Sequence, residues 1–209
     1  MYTLYYAPGT ASLAVHLALL EIGAEHALKR VDLGAGEQYS AAYLALNPNA
    51  VVPTLLVDGK PVYESAALLL LLAERHPDAR LAPAPGTPAR AAFLQWMLHF
   101  ANVVQPAFRI WFSPAKYAGE PSATAKEVAR ETIEAAWQRF DAFVSAQGPW
   151  ALGTDFSVLD IYSTLLMRWS RNMPKPATSW PALAALAARV KARPTWAKLY
   201  AIEGLTEWA

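Results

Sequence analysis

Hydrophobic and polar positions in the first part of the chain follow two different spacings. Residues 2–6 and 28–33 are short and β-prone. Residues 12–23 lie between them and carry leucines at helical spacing. Ser12 is a candidate N-cap of that helix, and Gly23 is a candidate stop just after its last turn. A helix between two strands predicts a right-handed parallel crossover.

The next fifty residues predict a short helix, a hairpin and a longer helix. Asp58-Gly59 lies between two β-prone runs, which is a strong hairpin signal. The chain therefore predicts a four-stranded mixed sheet with helices on both faces. The further elements of this region are a helix at 39–46 closed by Asn47-Pro48, strands at 54–57 and 61–63, and an apolar helix from Glu64-Ser65 to about Arg75.

A proline-rich stretch, residues 77–89, separates this α/β region from a region of purely helical spacing. The sequence predicts three parts: an α/β domain at 1–76, a linker at 77–89 and an all-α domain at 90–209. All eight tryptophans lie at or after Trp96. The predicted helices of the last part cover 90–112, with a bend at Pro106, 123–147, 158–172, 180–192 and 194–202.

Composition excludes several classes of protein. Hydrophobic residues make up 55% and charged residues 17%, which predicts a folded core rather than a disordered chain. The formal net charge of +1 argues against binding nucleic acid through bulk positive charge. The longest apolar run, residues 66–73, is too short to span a bilayer. With no secretory signal in view, we expect a cytoplasmic protein without a membrane partner.

Cysteine is absent, which excludes disulfides, thiolate metal sites and a cysteine nucleophile. The four histidines show no spacing typical of metal ligands. No glycine-rich phosphate loop is present either. We therefore expect neither a metal nor a nucleotide cofactor.

Val52-Pro53 stands immediately before a predicted strand. A trans proline there would only begin the strand, since its missing N–H is tolerated at that position. A cis peptide bond would instead turn the N–H and C=O of Val52 outward, where an extended peptide pairs with them as an added strand. The residues alone leave both readings open.

Two other segments combine hydroxyls with a helix start. Ser65 either caps its helix or, with the helix N-terminus, binds a carboxylate, while Glu64 holds an ammonium group. Hydroxyls of the loop at 6–12 either cap and pack, or donate to a thiolate and lower its pKa. Ser157 and Asp160, by contrast, form a capping box, with Asp in place of the usual Glu or Gln, and we interpret it as structural.

These motifs follow one another in a particular order, and by that order the sequence resembles the cytosolic glutathione S-transferases over its whole length. The first loop and helix resemble the bacterial beta class most. The resemblance rests on Leu4-Tyr5-Tyr6-Ala7-Pro8-Gly9, Ser12-Leu13, His16, Asn47-Pro48, Val52-Pro53-Thr54-Leu55, Glu64-Ser65, Ser157-Val158-Leu159-Asp160 and Arg193-Pro194.

The resemblance implies a thioredoxin-like N-terminal domain (βαβαββα) followed by an all-helical domain. It implies a cis Val52-Pro53 bond, with Val52 pairing to the cysteinyl backbone of glutathione, the co-substrate. Glu64 and Ser65 would bind the γ-glutamyl end. Members are usually homodimers, and Asn102 is the candidate for a contribution across the interface. The hydrophobic substrate would sit over the first helix against the second domain, near Phe108, Phe112, Tyr162 and Trp169.

The chain departs from the beta-class pattern at two positions. Ala11 stands where that class carries a cysteine, and Gln105 stands where a histidine is often found. Thiol transfer through a cysteine at that position is therefore impossible. Hydroxyls and the helix field must stabilise the thiolate, and we rank Ser12 first, Thr10 second and Tyr6 third as catalytic groups.

The resemblance and the residues together predict a detoxifying transferase that joins the thiolate of glutathione to small hydrophobic electrophiles. The alternative is a carrier or scaffold of the same fold that binds glutathione or hydrophobic ligands without turnover. A glutathione-dependent isomerase or ether-cleaving lyase is a second alternative. Fold alone does not decide between them.

Overall fold

The strands of the first third form one mixed sheet in the order β2-β1-β3-β4. Strand β1 pairs in parallel with β2 and antiparallel with β3, and β3 pairs antiparallel with β4. This is the sheet that the hydrophobic pattern predicts. The strands are β1 (Tyr2–Tyr6), β2 (His26–Arg30), β3 (Thr54–Val57) and β4 (Lys60–Tyr63).

The helices follow the predicted spacing in a computed structural model that describes residues 1–120 and 122–208. Pro121 and Ala209, which fall within the predicted helical domain, lie outside the described residues. The helices are α1 (Ser12–Glu21), α2 (Ala41–Leu44), α3 (Ser65–Arg75), α4 (Pro88–His99), α5 (Gln105–Phe112), α6 (Pro114–Ala118), α7 (Ala123–Gln147), α8 (Val158–Trp169), α9 (Pro181–Lys191) and α10 (Pro194–Glu203).

The β3–β4 hairpin shows how strictly local sequence determines a turn. Asp58 and Gly59 form its two-residue loop, with φ values of 52° and 80°. Positive φ at both central positions gives the type I′ turn, whose twist matches that of the strands. Asp58 also accepts a hydrogen bond from Arg75 on α3 at 2.8 Å, and the pKa of its carboxyl is lowered by that guanidinium.

Helix α1 confirms one predicted boundary and corrects the other. Gly23 follows its end at φ 65°, and the Ala24 N–H donates to the Leu19 carbonyl, as in a Schellman motif. The predicted N-cap at Ser12 is wrong, because Ala11 occupies that position and Ser12 is the first helical residue. The Ser12 side chain turns back to Ala7 instead of capping the helix.

The chain divides into two compact units. Unit 1 comprises residues 1–80 and 191–207, and unit 2 comprises residues 81–190 and Trp208. The division differs from the predicted boundaries, because α10 packs with the α/β region rather than with the preceding helices. Arg193, just before α10, makes a bidentate ion pair with Glu21 of α1 at 2.6–2.7 Å. Helical spacing shows that α10 has a buried face but not which element covers it.

The core of unit 2 is built largely from aromatic rings. Phe100 meets Phe140 edge to face with ring centroids 4.9 Å apart, and Trp96 lies 4.8 Å from the same ring. A π-helical turn, Phe100–Val104, joins α4 to α5 just before Pro106, where the sequence predicts a bend. The turn presents Phe100 and Val104 to the core, and both are fully buried.

The predicted capping box at the start of α8 is present. Ser157 Oγ accepts a hydrogen bond from the Leu159 N–H, and the Asp160 carboxylate accepts the Ser157 N–H at 2.8 Å. Asp160 also accepts the Ala151 N–H at 2.8 Å, which joins the preceding loop to the helix. The buried side-chain oxygens of Ser157 and Asp160 thus all have partners inside unit 2.

None of the helices in residues 1–120 and 122–208 is long and apolar enough to cross a bilayer.

Candidate functional site

One end of the sheet gathers three of the sequence-predicted segments. Strand β1 ends there at Tyr6, β3 begins there at Thr54, and β4 ends there at Tyr63, because Tyr5 pairs with Thr54 and Thr54 with Tyr63. The loop after β1, the peptide before β3 and the residue after β4 therefore leave the sheet side by side. These are the segments 7–12, 52–53 and 64–65.

The loop after β1 is held by two hydroxyls that share one acceptor. Thr10 Oγ1 donates to the Ala7 carbonyl at 2.7 Å, and Ser12 Oγ donates to the same oxygen at 3.1 Å. The hydroxyls lie 2.9 Å apart, and the Ala7 N–H also donates to Ser12 Oγ. Ser12 is fully buried, whereas Thr10 is half-buried. Thr10 is therefore the more exposed of the two residues, with its hydroxyl bonded to Ala7 and Ser12.

Tyr6, the third predicted catalytic residue, is half-buried at the end of β1. Its ring packs against His16 with centroids 6.0 Å apart. The Tyr6 hydroxyl makes no hydrogen bond to a residue that the structure describes. It is therefore free to donate to a ligand.

A residue that sequence reasoning missed supports this loop from the far end of the chain. Glu203, in the last turn of α10, accepts the Gly9 N–H at 2.9 Å and contacts His16 Nδ1 at 2.8 Å. Both ionisable side chains are completely buried. The carboxylate thereby fixes the loop to α1. No sequence signal could have found this pair, since Gly9 and Glu203 stand 194 residues apart.

The Val52-Pro53 peptide bond is cis, as the family resemblance implies. The preceding carbonyl, of Val51, accepts hydrogen bonds from Tyr43 Oη at 2.8 Å and from Asn47 Nδ2 at 2.9 Å. Burial raises the pKa of the Tyr43 hydroxyl, which therefore stays a donor. The main-chain N–H and C=O of Val52 form no hydrogen bond to any described residue. The Val52 backbone can therefore pair with an extended ligand, and Tyr43 and Asn47 hold the adjacent Val51 carbonyl in place.

The start of α3 contains a buried hydroxyl without a hydrogen-bond partner among the described residues. Ser65 is 3% exposed, yet its Oγ has no hydrogen-bond partner among the residues that the structure describes. The N-cap, Glu64, has φ 77° and ψ 112°. This backbone conformation is strained for any residue with a side chain. The Glu64 carboxylate is exposed and makes no side-chain hydrogen bond within the described chain.

The predicted hydrophobic-substrate residues do not share one environment in unit 2. Phe112, 54% exposed, stacks on Phe108 at 5.7 Å, and Trp169 meets both rings edge to face. Tyr162 lies apart, fully buried, with its hydroxyl donated to Gln105 Oε1. Phe108, Phe112 and Trp169 therefore form an aromatic cluster that reaches the surface through Phe112 and Trp169, whereas Phe108 and Tyr162 are both fully buried.

Asn102 lies in the π-helical turn, and its side chain is exposed. It makes no hydrogen bond to another described residue. Over residues 1–120 and 122–208, no group of three or more His, Asp or Glu side chains is arranged to hold a metal ion.

The fold and this arrangement define a class of protein: a thioredoxin-like domain with a cis-proline edge, joined in sequence to a helical unit. Residues 1–74 match the family model of the glutathione S-transferase N-terminal domain, and residues 103–201 match that of its C-terminal domain.

Comparison with individual proteins finds similarity to the same family. The chain is 28% identical over 204 residues to the glutathione S-transferase GstA of Escherichia coli O157:H7, covering 97% of this chain and 98% of that one. A sphingomonad glutathione S-transferase complexed with glutathione is 32% identical, with TM-score 0.84 and coverage of 98% and 100%. The beta-class enzyme of Sphingomonas chungbukensis is 31% identical, with TM-score 0.83 and the same coverage.

The chain therefore belongs to the glutathione S-transferase family. The family, the fold class and the assignment to a transferase enzyme, all predicted from the sequence, are confirmed. The absence of the beta-class cysteine is also confirmed, since Ala11 occupies the N-cap of α1.

Proposed function

We propose that this enzyme binds glutathione, holds it as a thiolate and transfers it to small hydrophobic electrophiles. The observation that carries the proposal is the unpartnered Ser65 Oγ, buried at the start of α3. A buried hydroxyl without a partner costs about 1–3 kcal/mol. A ligand carboxylate at the helix N-terminus would remove that cost by accepting from this hydroxyl and from the first backbone N–H groups.

The γ-glutamyl end of glutathione carries an ammonium and a carboxylate on one carbon. Ser65 and the helix N-terminus suit the carboxylate, and the free carboxylate of Glu64 suits the ammonium. The strained backbone of Glu64 supports this role, because strain in a non-glycine residue is concentrated at ligand sites. The sphingomonad relative is a complex with glutathione.

The cysteinyl backbone of glutathione would pair with Val52. The main-chain N–H and C=O of Val52, which are free in this structure, offer the two hydrogen bonds of a short antiparallel pairing. Tyr43 and Asn47 hold the neighbouring carbonyl, so the edge is ordered before the ligand arrives. Pre-ordering reduces the entropy lost on binding.

The thiolate would lie at the loop before α1, within reach of hydroxyls and of the first helix N–H groups. Burial changes the order in which we rank the hydroxyls. Thr10 comes first because it is half-buried, whereas Ser12 is fully buried. The Thr10 proton, which the Ala7 carbonyl accepts in the free protein, would turn to the thiolate on binding, while Ser12 keeps its own donation to Ala7. A hydrogen bond to the charged sulfur contributes about 1.5–3 kcal/mol, which lowers the thiol pKa by about one to two units.

The transfer itself needs no further group. The thiol proton passes to solvent, the sulfur lone pair forms a C–S bond to the electrophilic carbon, and the leaving group departs with its electron pair. We assign contact with the hydrophobic co-substrate to Phe112 and Trp169, while the fully buried Phe108 packs against both rings from within the core. Tyr162 would not touch the substrate, because it is fully buried and its hydroxyl is donated to Gln105.

A homodimer with Asn102 reaching the partner's glutathione is part of the proposal. Support comes from the exposure of its unpaired amide. Sedimentation equilibrium tests the dimer, and Asn102→Ala tests the contact through glutathione affinity. The cytoplasmic location stays a prediction from the sequence.

The first experiment is calorimetric titration with glutathione, followed by ultraviolet titration of the bound thiolate and by conjugation to chlorodinitrobenzene. We expect saturable binding, a thiol pKa below that of free glutathione, and turnover. Thr10→Val should raise the pKa of the bound thiol by about one unit. Tyr6→Phe should raise the thiol pKa less, because Tyr6 belongs to the end of β1 rather than to the loop just before α1.

Two outcomes would change the assignment. Binding without a pKa shift and without turnover would favour the carrier function. A raised thiol pKa in Ser12→Ala but not in Thr10→Val would restore the order predicted from the sequence. A thermal melt of each variant separates these effects from unfolding, because Ser12 is a core residue.

A further inference from the structure

A network of three buried side chains, Tyr43, Asn47 and Thr54, surrounds the Val51 carbonyl. Tyr43 is 4% exposed, and Asn47 and Thr54 are fully buried. The carbonyl accepts hydrogen bonds from Tyr43 Oη at 2.8 Å and from Asn47 Nδ2 at 2.9 Å. Thr54 Oγ1 closes the network, because it lies 3.0 Å from Tyr43 Oη and 3.1 Å from Asn47 Nδ2.

The donor and the acceptor of each hydrogen bond in this network are determined by its neighbours. Asn47 Oδ1 accepts the Asn49 N–H at 3.0 Å, so the same amide group presents its Nδ2 donor to Val51 and Thr54. The single proton of the Tyr43 hydroxyl goes to the Val51 carbonyl, so Thr54 Oγ1 donates to Tyr43 Oη. One arrangement of protons therefore satisfies every bond, and the carbonyl is held in one direction.

The direction of the Val51 carbonyl determines the direction of the Val52 N–H. The two groups belong to one trans peptide unit, which is planar, and they point in opposite directions within it. Because the carbonyl is bonded to the buried network, the Val52 N–H points away from that network. This N–H is one of the two groups that, in the proposed function, pair with the cysteinyl backbone of glutathione.

The loop that leads to this peptide has a backbone conformation that needs support. Ala50 has φ 53°, in the left-handed region that residues other than glycine seldom adopt. Such strain persists where surrounding contacts over-determine the backbone. Asn47 and Thr54 belong to the loop and the strand that it enters, whereas Tyr43 belongs to α2. Tyr43 therefore ties the loop to a separate element.

We propose that Tyr43 is a positioning residue for glutathione: its hydroxyl orients the Val51–Val52 peptide so that the Val52 N–H meets the cysteinyl carbonyl of the ligand. This role rests on the proposed function, in which the cysteinyl backbone of glutathione pairs with Val52. Tyr43 does not touch the ligand, because its side chain is buried and its hydroxyl is bonded to Val51 and Thr54. Without that hydroxyl the carbonyl keeps one donor, Asn47, and the peptide gains freedom that binding must remove.

The test compares two ligands that differ in the cysteinyl carbonyl. γ-Glutamylcysteine amide carries it, and γ-glutamylcysteamine has a hydrogen atom in place of the whole carboxamide. Calorimetry with the original chain should show about fivefold tighter binding of the first ligand, as expected for one hydrogen bond. Tyr43→Phe keeps the ring and its contact with Tyr5, and it should lower this ratio to about twofold. The affinity for γ-glutamylcysteamine and the pKa of its bound thiol should stay unchanged.

Tyr39→Phe is the matched control, because this tyrosine is 58% exposed and its side chain makes no hydrogen bond to a described residue. It should keep the ratio of the original chain. Thr54→Val removes a bond to Tyr43 Oη but leaves the bond from Tyr43 to Val51, so it should lower the ratio only to about threefold.

An unchanged ratio in Tyr43→Phe would overturn the positioning role. An equal loss of affinity for both ligands would also overturn it, since the substitution would then act on the fold as a whole. If a thermal melt shows that Tyr43→Phe does not fold, Thr54→Val decides, and an unchanged ratio in that variant overturns the role. A failure of the original chain to bind glutathione would instead overturn the proposed function.

Discussion

A buried serine is the N-cap of α8 and another is the first residue of α3, and the hydroxyls of these two serines are in opposite states. At the start of α8, Ser157 is bonded through its N–H and its hydroxyl to Asp160, which also accepts the Ala151 N–H. At the start of α3, Ser65 is equally buried, but its hydroxyl has no partner among the described residues. Glu64 before it has a strained backbone and an exposed carboxylate.

The difference separates a structural helix start from one that is prepared for a ligand. Buried polar groups in folded proteins are nearly always hydrogen-bonded, so each exception needs a cause. At the start of α8, the hydrogen bonds among neighbouring residues stabilise the fold. At the start of α3, the unpaired Ser65 hydroxyl lowers the stability of the free protein, and a bound carboxylate would restore that stability. Four predictions follow from this contrast, ordered from the largest expected effect.

Asp160→Ala should lower the free energy of unfolding by about 3–5 kcal/mol. The change leaves the N–H groups of Ala151 and Ser157 buried without an acceptor. Urea denaturation measures it, with the exposed Asp155→Ala as control, expected within about 0.5 kcal/mol of the original chain. A loss below about 1 kcal/mol would show that this helix start does not depend on its box.

The Asp160 carboxyl should make the free energy of unfolding depend on pH. Burial raises the pKa of Asp160 from 3.8 to about 6, although its hydrogen bonds lower it. The folded protein then binds this proton more tightly than the unfolded chain. The contribution is fully present below about pH 4 and is lost as the pH rises through 6, on the order of 3 kcal/mol. Denaturation at several pH values should show this slope in the original chain and not in Asp160→Ala.

Ser65→Ala should weaken glutathione binding by about tenfold, or about 1.4 kcal/mol, since one hydrogen bond to a carboxylate is lost. Its stability should be unchanged or higher, because an unpaired hydroxyl is removed. Ser157→Ala is the matched control and should do the reverse, losing about 1 kcal/mol of stability with normal affinity. Calorimetry measures the glutathione affinity of both variants, and urea denaturation measures their stability. Normal affinity of the Ser65→Ala variant would show that Ser65 does not bind the ligand carboxylate.

Glu64→Gly should raise the free energy of unfolding by about 1 kcal/mol, because glycine adopts φ 77° without strain. Glu64→Gln should leave stability unaltered. Both variants lose the carboxylate and should bind glutathione more weakly than the original chain. If Gly and Gln gave equal stability, the backbone at this position would not be strained.

Sequence reasoning succeeded where a few neighbouring residues decide the outcome. Asp58-Gly59 forms its I′ turn and Gly23 ends α1, since positive φ is a property of single residues. The cis bond at Val52-Pro53 came from the family resemblance, as the residues alone left it open. Reasoning failed for the Ser12 side chain, because the same residue type caps a helix or bonds to a preceding loop with equal local cost.

The sequence by itself therefore determined the order of elements, the hairpin, the capping box at Ser157 and the family. The elements, the hairpin and the capping box depend on patterns or contacts within a few residues, and the family on the order of several such short motifs along the chain. The tertiary structure alone decided that Glu203 holds Gly9 and His16, that α10 packs with unit 1, and that Ser65 is left unpaired. These outcomes depend on which distant groups meet once the apolar faces are buried, and no local preference encodes that.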